Sequence, residues 1–268
     1  MRGFLKACLL ASYAFLYLPI ALLVLFSFND SRLLTAWSGF SWRWYAALWN
    51  DAPLVSAGLL SLRIAVLSAS IATVVGTAAG FALARFGRFR GRRAFAAALA
   101  VPLVLPDIVT GLALLLLFVA SERLIGWPAG RGAGTIALAH ASFALAYVAV
   151  VVQARLGDAG TELEDAAADL GASPARAFLL VTLPLMAPAL VSGWLLAFTL
   201  SLDDLVVASF VSGPGASTLP MVLFSAMRLG ITPEMNAVAS IVLGVVLLAL
   251  AGAWLVRYWA VAARTGAR

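Results

Sequence analysis

The sequence predicts an all-α integral membrane protein with six transmembrane helices. Three observations point there: an apolar composition, six apolar stretches long enough to cross a bilayer, and arginines concentrated between particular stretches. Apolar residues make up 63% of the 268 and charged residues 11%, with a mean hydropathy of +1.03. Soluble domains hold about 45–50% and about 25% respectively, so the expected surroundings are the lipid bilayer. A net charge of +6 invites a nucleic-acid reading. The basic residues flank apolar stretches, however, so topology accounts for them and no nucleic-acid partner is expected. The single cysteine, Cys8, excludes an internal disulfide framework.

A span needs about 20 mostly apolar residues, and six segments qualify within one domain, residues 1–268. The first, 7–28, follows Arg2 and Lys6 like a signal peptide. It is longer than a typical hydrophobic signal region and no small-residue cleavage site follows, so it reads as an uncleaved span. The second covers 58–84. The third, 94–120, contains Pro102 and Pro106, which break backbone hydrogen bonds and predict a bent helix. The fourth, 134–153, carries His140; the fifth, 185–211, carries Asp203 and Asp204; the sixth, 236–258, follows Thr232-Pro233-Glu234, which suits a helix start.

Orientation follows from the connections. With the N-terminus inside, twelve of the eighteen Lys and Arg fall on the cytoplasmic side, five of them (Arg85, Arg88, Arg90, Arg92, Arg93) in one loop. Both termini are therefore expected in the cytoplasm. The first outer loop carries Trp37, Trp42, Trp44, Tyr45 and Trp49. Either these rings anchor Ser41–Asn50 at the headgroup level, or they form a contact surface for an external partner.

Between spans four and five, residues 161–184 form a polar loop with internal punctuation. Thr161-Glu162-Leu163-Glu164 fits a capping box, in which the Thr161 hydroxyl and the Glu164 carboxylate each accept from the other's backbone N–H. Leu163, Ala166, Ala167 and Leu170 then line one narrow apolar stripe. Gly171 supplies a left-handed stop, and Ser173-Pro174 restarts a helix as N-cap and first helical residue. Two helices meeting at a glycine make a rigid knob, packed either on its own bundle or against a soluble partner.

This loop resembles the cytoplasmic loop of binding-protein-dependent ABC importer permeases, whose pattern is Glu-Ala-Ala, three residues, Gly, nine residues, Ile, any residue, Leu-Pro. Asp165-Ala166-Ala167 stands for the triplet, Gly171 for the glycine, Val181 for the isoleucine, and Leu183-Pro184 closes the pattern. Asp replaces Glu, with Glu164 adjacent, and Val replaces Ile. Pro102–Gly111, Ser201–Val207 and Phe210–Gly215 further resemble polyamine permeases, putrescine permeases among them. The resemblance implies a type I ABC importer permease fold, with Glu164, Asp165, Ala166, Ala167, Gly171 and Pro184 coupling the chain to an ATPase. It also implies the partners: a second homologous permease, two copies of a cytoplasmic ABC ATPase, a periplasmic or extracellular solute-binding protein, and residence in the bacterial inner membrane.

Ionisable groups within spans suggest a pathway. Counting from Ala94 at about 1.5 Å per residue puts Asp107 roughly 20 Å up, just beyond the midplane. It either recognises an ammonium group or is a structural carboxylate bonded through Thr110 or His140. The same count puts Asp203 and Asp204 roughly 27 Å above Leu185, as an acidic outer vestibule or simply the end of the span. The acidic groups offset desolvation of a dication, so the expected substrate is putrescine or a related polyamine. Ferric iron, sulfate, thiamine and phosphonate are the alternatives within the class. His140 is the only histidine, so sites built on several imidazoles are excluded. No phosphate-binding glycine loop or nucleophilic triad occurs, so the chain is expected to be no enzyme and to need no cofactor. A rival from another class is a secondary transporter coupling ions through Asp107 and His140.

Overall fold

The structure, a computed structural model, describes residues 2–32, 36–229 and 233–265. Thr232 and Arg268 lie outside the described residues, as do the side chains of Arg2, Arg257 and Arg264. The described chain is helical apart from turns and one isolated antiparallel bridge between Asn29 and Phe40. In order the helices are α1 (Arg2–Phe26), α2 (Arg43–Asn50), α3 (Ala52–Arg85), α4 (Arg92–Val104), α5 (Asp107–Ile125), α6 (Ala133–Ala159), α7 (Glu162–Asp169), α8 (Pro174–Ala177), α9 (Leu183–Leu202), α10 (Val206–Val211), α11 (Leu219–Leu229) and α12 (Pro233–Thr265). A π-helical turn, Phe178–Thr182, joins α8 to α9. Among the described residues six segments are long and apolar enough to cross a membrane: Gly3–Phe26, Ala52–Arg85, Asp107–Ile125, Ala133–Ala159, Pro174–Leu202 and Pro233–Leu255.

Two expected spans are interrupted in the structure. The third is not one bent helix over 94–120: α4 ends at Val104, Leu105 is extended (φ −72°, ψ 139°), and α5 starts at Asp107. Pro106 removes a donor and drives the residue before it out of the helical region. The fifth does not run through the aspartates. Its helix begins at Pro174 and stops at Leu202, and Asp203, Asp204 and Leu205 form a break before α10.

The chain divides into two compact units, Met1–Ser56 with Val222–Gly252, and Ala57–Met221 with Ala253–Arg268. In the first, Asn29 organises the loop after α1. Its Nδ2 donates to the Ala36 carbonyl at 2.7 Å, and its Oδ1 accepts the Ser38 N–H at 2.9 Å. Trp44 is buried and its indole N–H donates to the Asn29 carbonyl at 2.6 Å. Tyr45 shares a 2.7 Å hydrogen bond with Ser27. These two rings are structural, whereas Trp42 and Trp49 are exposed.

The second unit is built around α6, the most buried of the six spans. Ala65, Ala69, Ala72, Gly76 and Gly80 put a small-residue stripe on the buried face of α3. A Cβ on Gly76 would lie 2.6 Å from the Leu145 carbonyl oxygen, and one on Gly80 would lie 2.6 Å from that of Ala149. Helices in lipid gain most from such close approach, because burying apolar surface yields little there. Against α5, Gly111 gives room for the Phe210 ring of α10.

Candidate translocation site and coupling loop

The two helix breaks meet. Asp107, at the first turn of α5, and Asp203 and Asp204, between α9 and α10, line one cavity of about 340 Å³ with Thr110 and with Phe143 and Tyr147 of α6. All three predicted carboxylates thus come together, although they derive from separate spans. Among the described residues, neither Asp107 nor Asp203 makes an ion pair or a hydrogen bond from its carboxylate to another residue's side chain. Asp107 is therefore not the carboxylate that His140 holds. Asp204 meets His140, which lies roughly 10 Å along α6 from Ala133 at 1.5 Å per residue. The count to Asp107 from Ala94 took one continuous helix, whereas α4 and α5 are separate.

Asp204 is committed. Its Oδ2 accepts from Ala208 N–H at 2.8 Å and lies 3.1 Å from His140 Nε2. Its Oδ1 lies 3.4 Å from Val207 N–H. A carboxylate there satisfies donors that the first turn of α10 would otherwise leave open. His140 Nδ1 lies 2.7 Å from Ser201 Oγ, and Ser201 lies 2.8 Å from Ser68 Oγ on α3. For His140 the sequence offered Asp107 as a partner, not Ser201 or Asp204. Phe143 and Tyr147 it did not mark at all, although their one-turn spacing inside a span carrying a histidine was the available signal. Towards the arginine-rich loop, Val150 and Gln153 of α6 line a wider cavity of about 900 Å³ with Arg88, Arg92 and Arg93.

The loop at 161–184 has the expected punctuation with different chemistry at its start. The capping box is absent: Thr161 precedes α7 but makes no side-chain cap. Glu164 instead accepts from Arg85 Nε at 2.9 Å and from the Thr182 hydroxyl at 2.9 Å. A guanidinium is the stronger donor, so Glu164 faces its own chain. Gly171 is left-handed (φ +83°), with its N–H on the Ala168 carbonyl and the Ala172 N–H on that of Ala167, both at 2.9 Å, a Schellman stop. Ser173 is extended and Pro174 opens α8, although the Ser173 hydroxyl makes no cap. Asp165, Ala166, Gly171 and Pro184 are exposed and Ala167 is half-buried. Leu163 and Leu170 stand 56% and 90% exposed, an apolar stripe that the bundle leaves open.

Residues 72–264 match the family described as binding-protein-dependent transport system inner membrane component. The chain belongs to this family. It is a multi-pass inner-membrane permease subunit of an ABC importer, and ATP hydrolysis resides in a separate subunit. The permease is 56% identical over 238 residues to the putrescine transport system permease protein PotI of Escherichia coli K12, covering 89% of this chain and 85% of that protein. It is 44% identical over 243 residues to the spermidine/putrescine transport system permease protein PotC of Haemophilus influenzae, covering 90% and 92%. Its fold is that of type I importer permeases. A bacterial ABC transporter importing the polysaccharide alginate superposes with a TM-score of 0.66 at 17% identity, covering 96% of each chain. The inward-facing methionine transporter MetNI gives 0.64 at 20% identity, covering 76% of this chain and 94% of that one.

Proposed function

We propose that this permease forms one half of the translocation pathway for putrescine or a related polyamine. The cavity lined by Asp107, Asp203 and Asp204 carries the assignment. A diammonium entering a low-dielectric bundle loses hydration that only fixed negative charge replaces, and Phe143 and Tyr147 add aromatic surface suited to cations and alkyl carbons. The names of the Escherichia coli and Haemophilus influenzae relatives support the same substrate class. A second homologous permease completes the pathway, two copies of an ABC ATPase drive it, and an external solute-binding protein delivers substrate. Asp165, Ala166, Ala167, Gly171 and Pro184 form the knob that the ATPase grips, supported by the open stripe of Leu163 and Leu170. Glu164 braces that knob from behind through Arg85. Both termini are cytoplasmic, residues 1–268 act as one permease domain, and ATP-driven closure of the motor switches the pathway from inward-facing to outward-facing.

The test is uptake of labelled putrescine in cells lacking this chain, restored with wild type or Gly171→Pro, with and without ATP depletion. Restoration by wild type alone, and only with ATP, is the expected result. Energised wild-type cells that fail to restore uptake, with the partner subunits present, overturn the polyamine assignment. Uptake that survives both ATP depletion and the proline overturns motor coupling.

A further inference from the structure

We propose that His140 is the positioning residue of the acidic cavity, holding the Asp204 carboxylate in the orientation that it presents to substrate. Four groups from three helices and a linker form an unbroken chain: Ser68 on α3, Ser201 on α9, His140 on α6 and Asp204. The His140 side chain is 1% exposed and that of Asp204 10%, so water does not substitute for any of these contacts. Asp204 lines the cavity beside Asp107 and Asp203, so whatever fixes its carboxylate acts on the cavity.

The chain of donors is complete in two directions. With a neutral imidazole, Ser68 donates to Ser201, Ser201 donates to Nδ1, and Nε2–H donates to Asp204. With an imidazolium, both ring nitrogens donate; Ser201 turns to donate to Ser68, and Ser68 donates to the Ala65 carbonyl at 3.2 Å. Neither state leaves a donor or acceptor of this network without a partner. His140 touches Asp204, and Asp203 and Asp107 line the same cavity.

This inference rests on the cation-permease assignment, and its test separates the two. Labelled putrescine uptake is measured in the full transporter with wild type, His140→Gln, His140→Leu, Asp204→Asn and the double variant His140→Leu/Asp204→Asn, at matched amounts in the membrane. Gln retains an acceptor for Ser201 and a donor for Asp204. His140→Leu is expected to raise KM about 10-fold with kcat little changed, and the double variant to be no worse than Asp204→Asn alone. His140→Gln, which keeps both hydrogen bonds, is expected to hold KM within about 2-fold of wild type. A solely structural histidine would instead lower the folded amount and leave KM alone, and that result overturns the inference. Absence of wild-type uptake overturns the substrate assignment and this inference with it.

Discussion

Arg85 at the end of α3 donates through Nε to Glu164 Oε2 of α7 at 2.9 Å, and the same guanidinium donates to the carbonyls of Leu156 and Gly160 near the end of α6. One side chain thereby ties two helix ends to the loop proposed to meet the ATPase. Arg85→Lys keeps the charge but cannot serve three acceptors in the planar fork geometry. Loss of these charged hydrogen bonds should cost about 1.5–3 kcal/mol, read as a lower melting temperature of the detergent-solubilised transporter together with reduced uptake per ATP hydrolysed. Unchanged melting and unchanged coupling would remove Arg85 from the device.

Gly171 separates backbone strain from steric clash. A Cβ there meets open space, but the φ of +83° is one that L side chains adopt only with strain. Gly171→Ala should therefore cost about 1–2 kcal/mol, and Gly171→Asn less, because Asn tolerates the left-handed region. Gly171→Pro removes the N–H bonded to Ala168 and demands a φ near −65°. Uptake per ATP hydrolysed should fall in the order Gly, Asn, Ala, Pro; equal values in all four would show that the bend plays no part in coupling.

The α3–α6 contact predicts an asymmetry among glycines of one helix. Gly76→Ala drives a methyl into the Leu145 carbonyl, whereas Gly58→Ala meets nothing within 4 Å. Overpacking against backbone costs about 1–3 kcal/mol or more, so Gly76→Ala should reduce folded protein recovered from membranes while Gly58→Ala does not. Comparable recovery of the two variants, measured by fluorescence-detected size exclusion, contradicts the packing described.

The three carboxylates should separate by readout. Asp107→Asn and Asp203→Asn remove charges that no described side chain pairs, so each should raise the KM for putrescine about 10-fold while thermal stability holds. Asp204→Asn also weakens the contacts with His140 and the start of α10, so it should lower stability by about 1.5–3 kcal/mol as well. If Asp107→Asn and Asp203→Asn leave KM unchanged, the cavity is not the substrate path.

Much of this was legible before the fold. Hydropathy located six spans, because the requirement to hide apolar side chains in lipid acts on every window of sequence. Gly171 and Pro174 announced the bend between α7 and α8, because their backbone preferences are local. The breaks were only half legible: Pro102 and Pro106 signalled a disturbance, but not that α4 would stop at Val104 and α5 begin afresh at Asp107. The capping box at Thr161 and Glu164 was plausible locally and lost to Arg85, seventy-nine residues away along the chain from Glu164.

The sequence by itself determined membrane residence, the number of spans, the family-like coupling loop and the identity of the acidic residues, since each is written in spacing and composition. Only the tertiary structure decided which carboxylates share a cavity and which of them is held. His140 and Asp204 are 64 residues apart, and Ser68 and Ser201 are 133 apart. No local pattern encodes such pairings. They arise when the glycine and alanine face of α3 lets that helix close on α6, and buried polar groups with no water to turn to take the partners that packing places beside them.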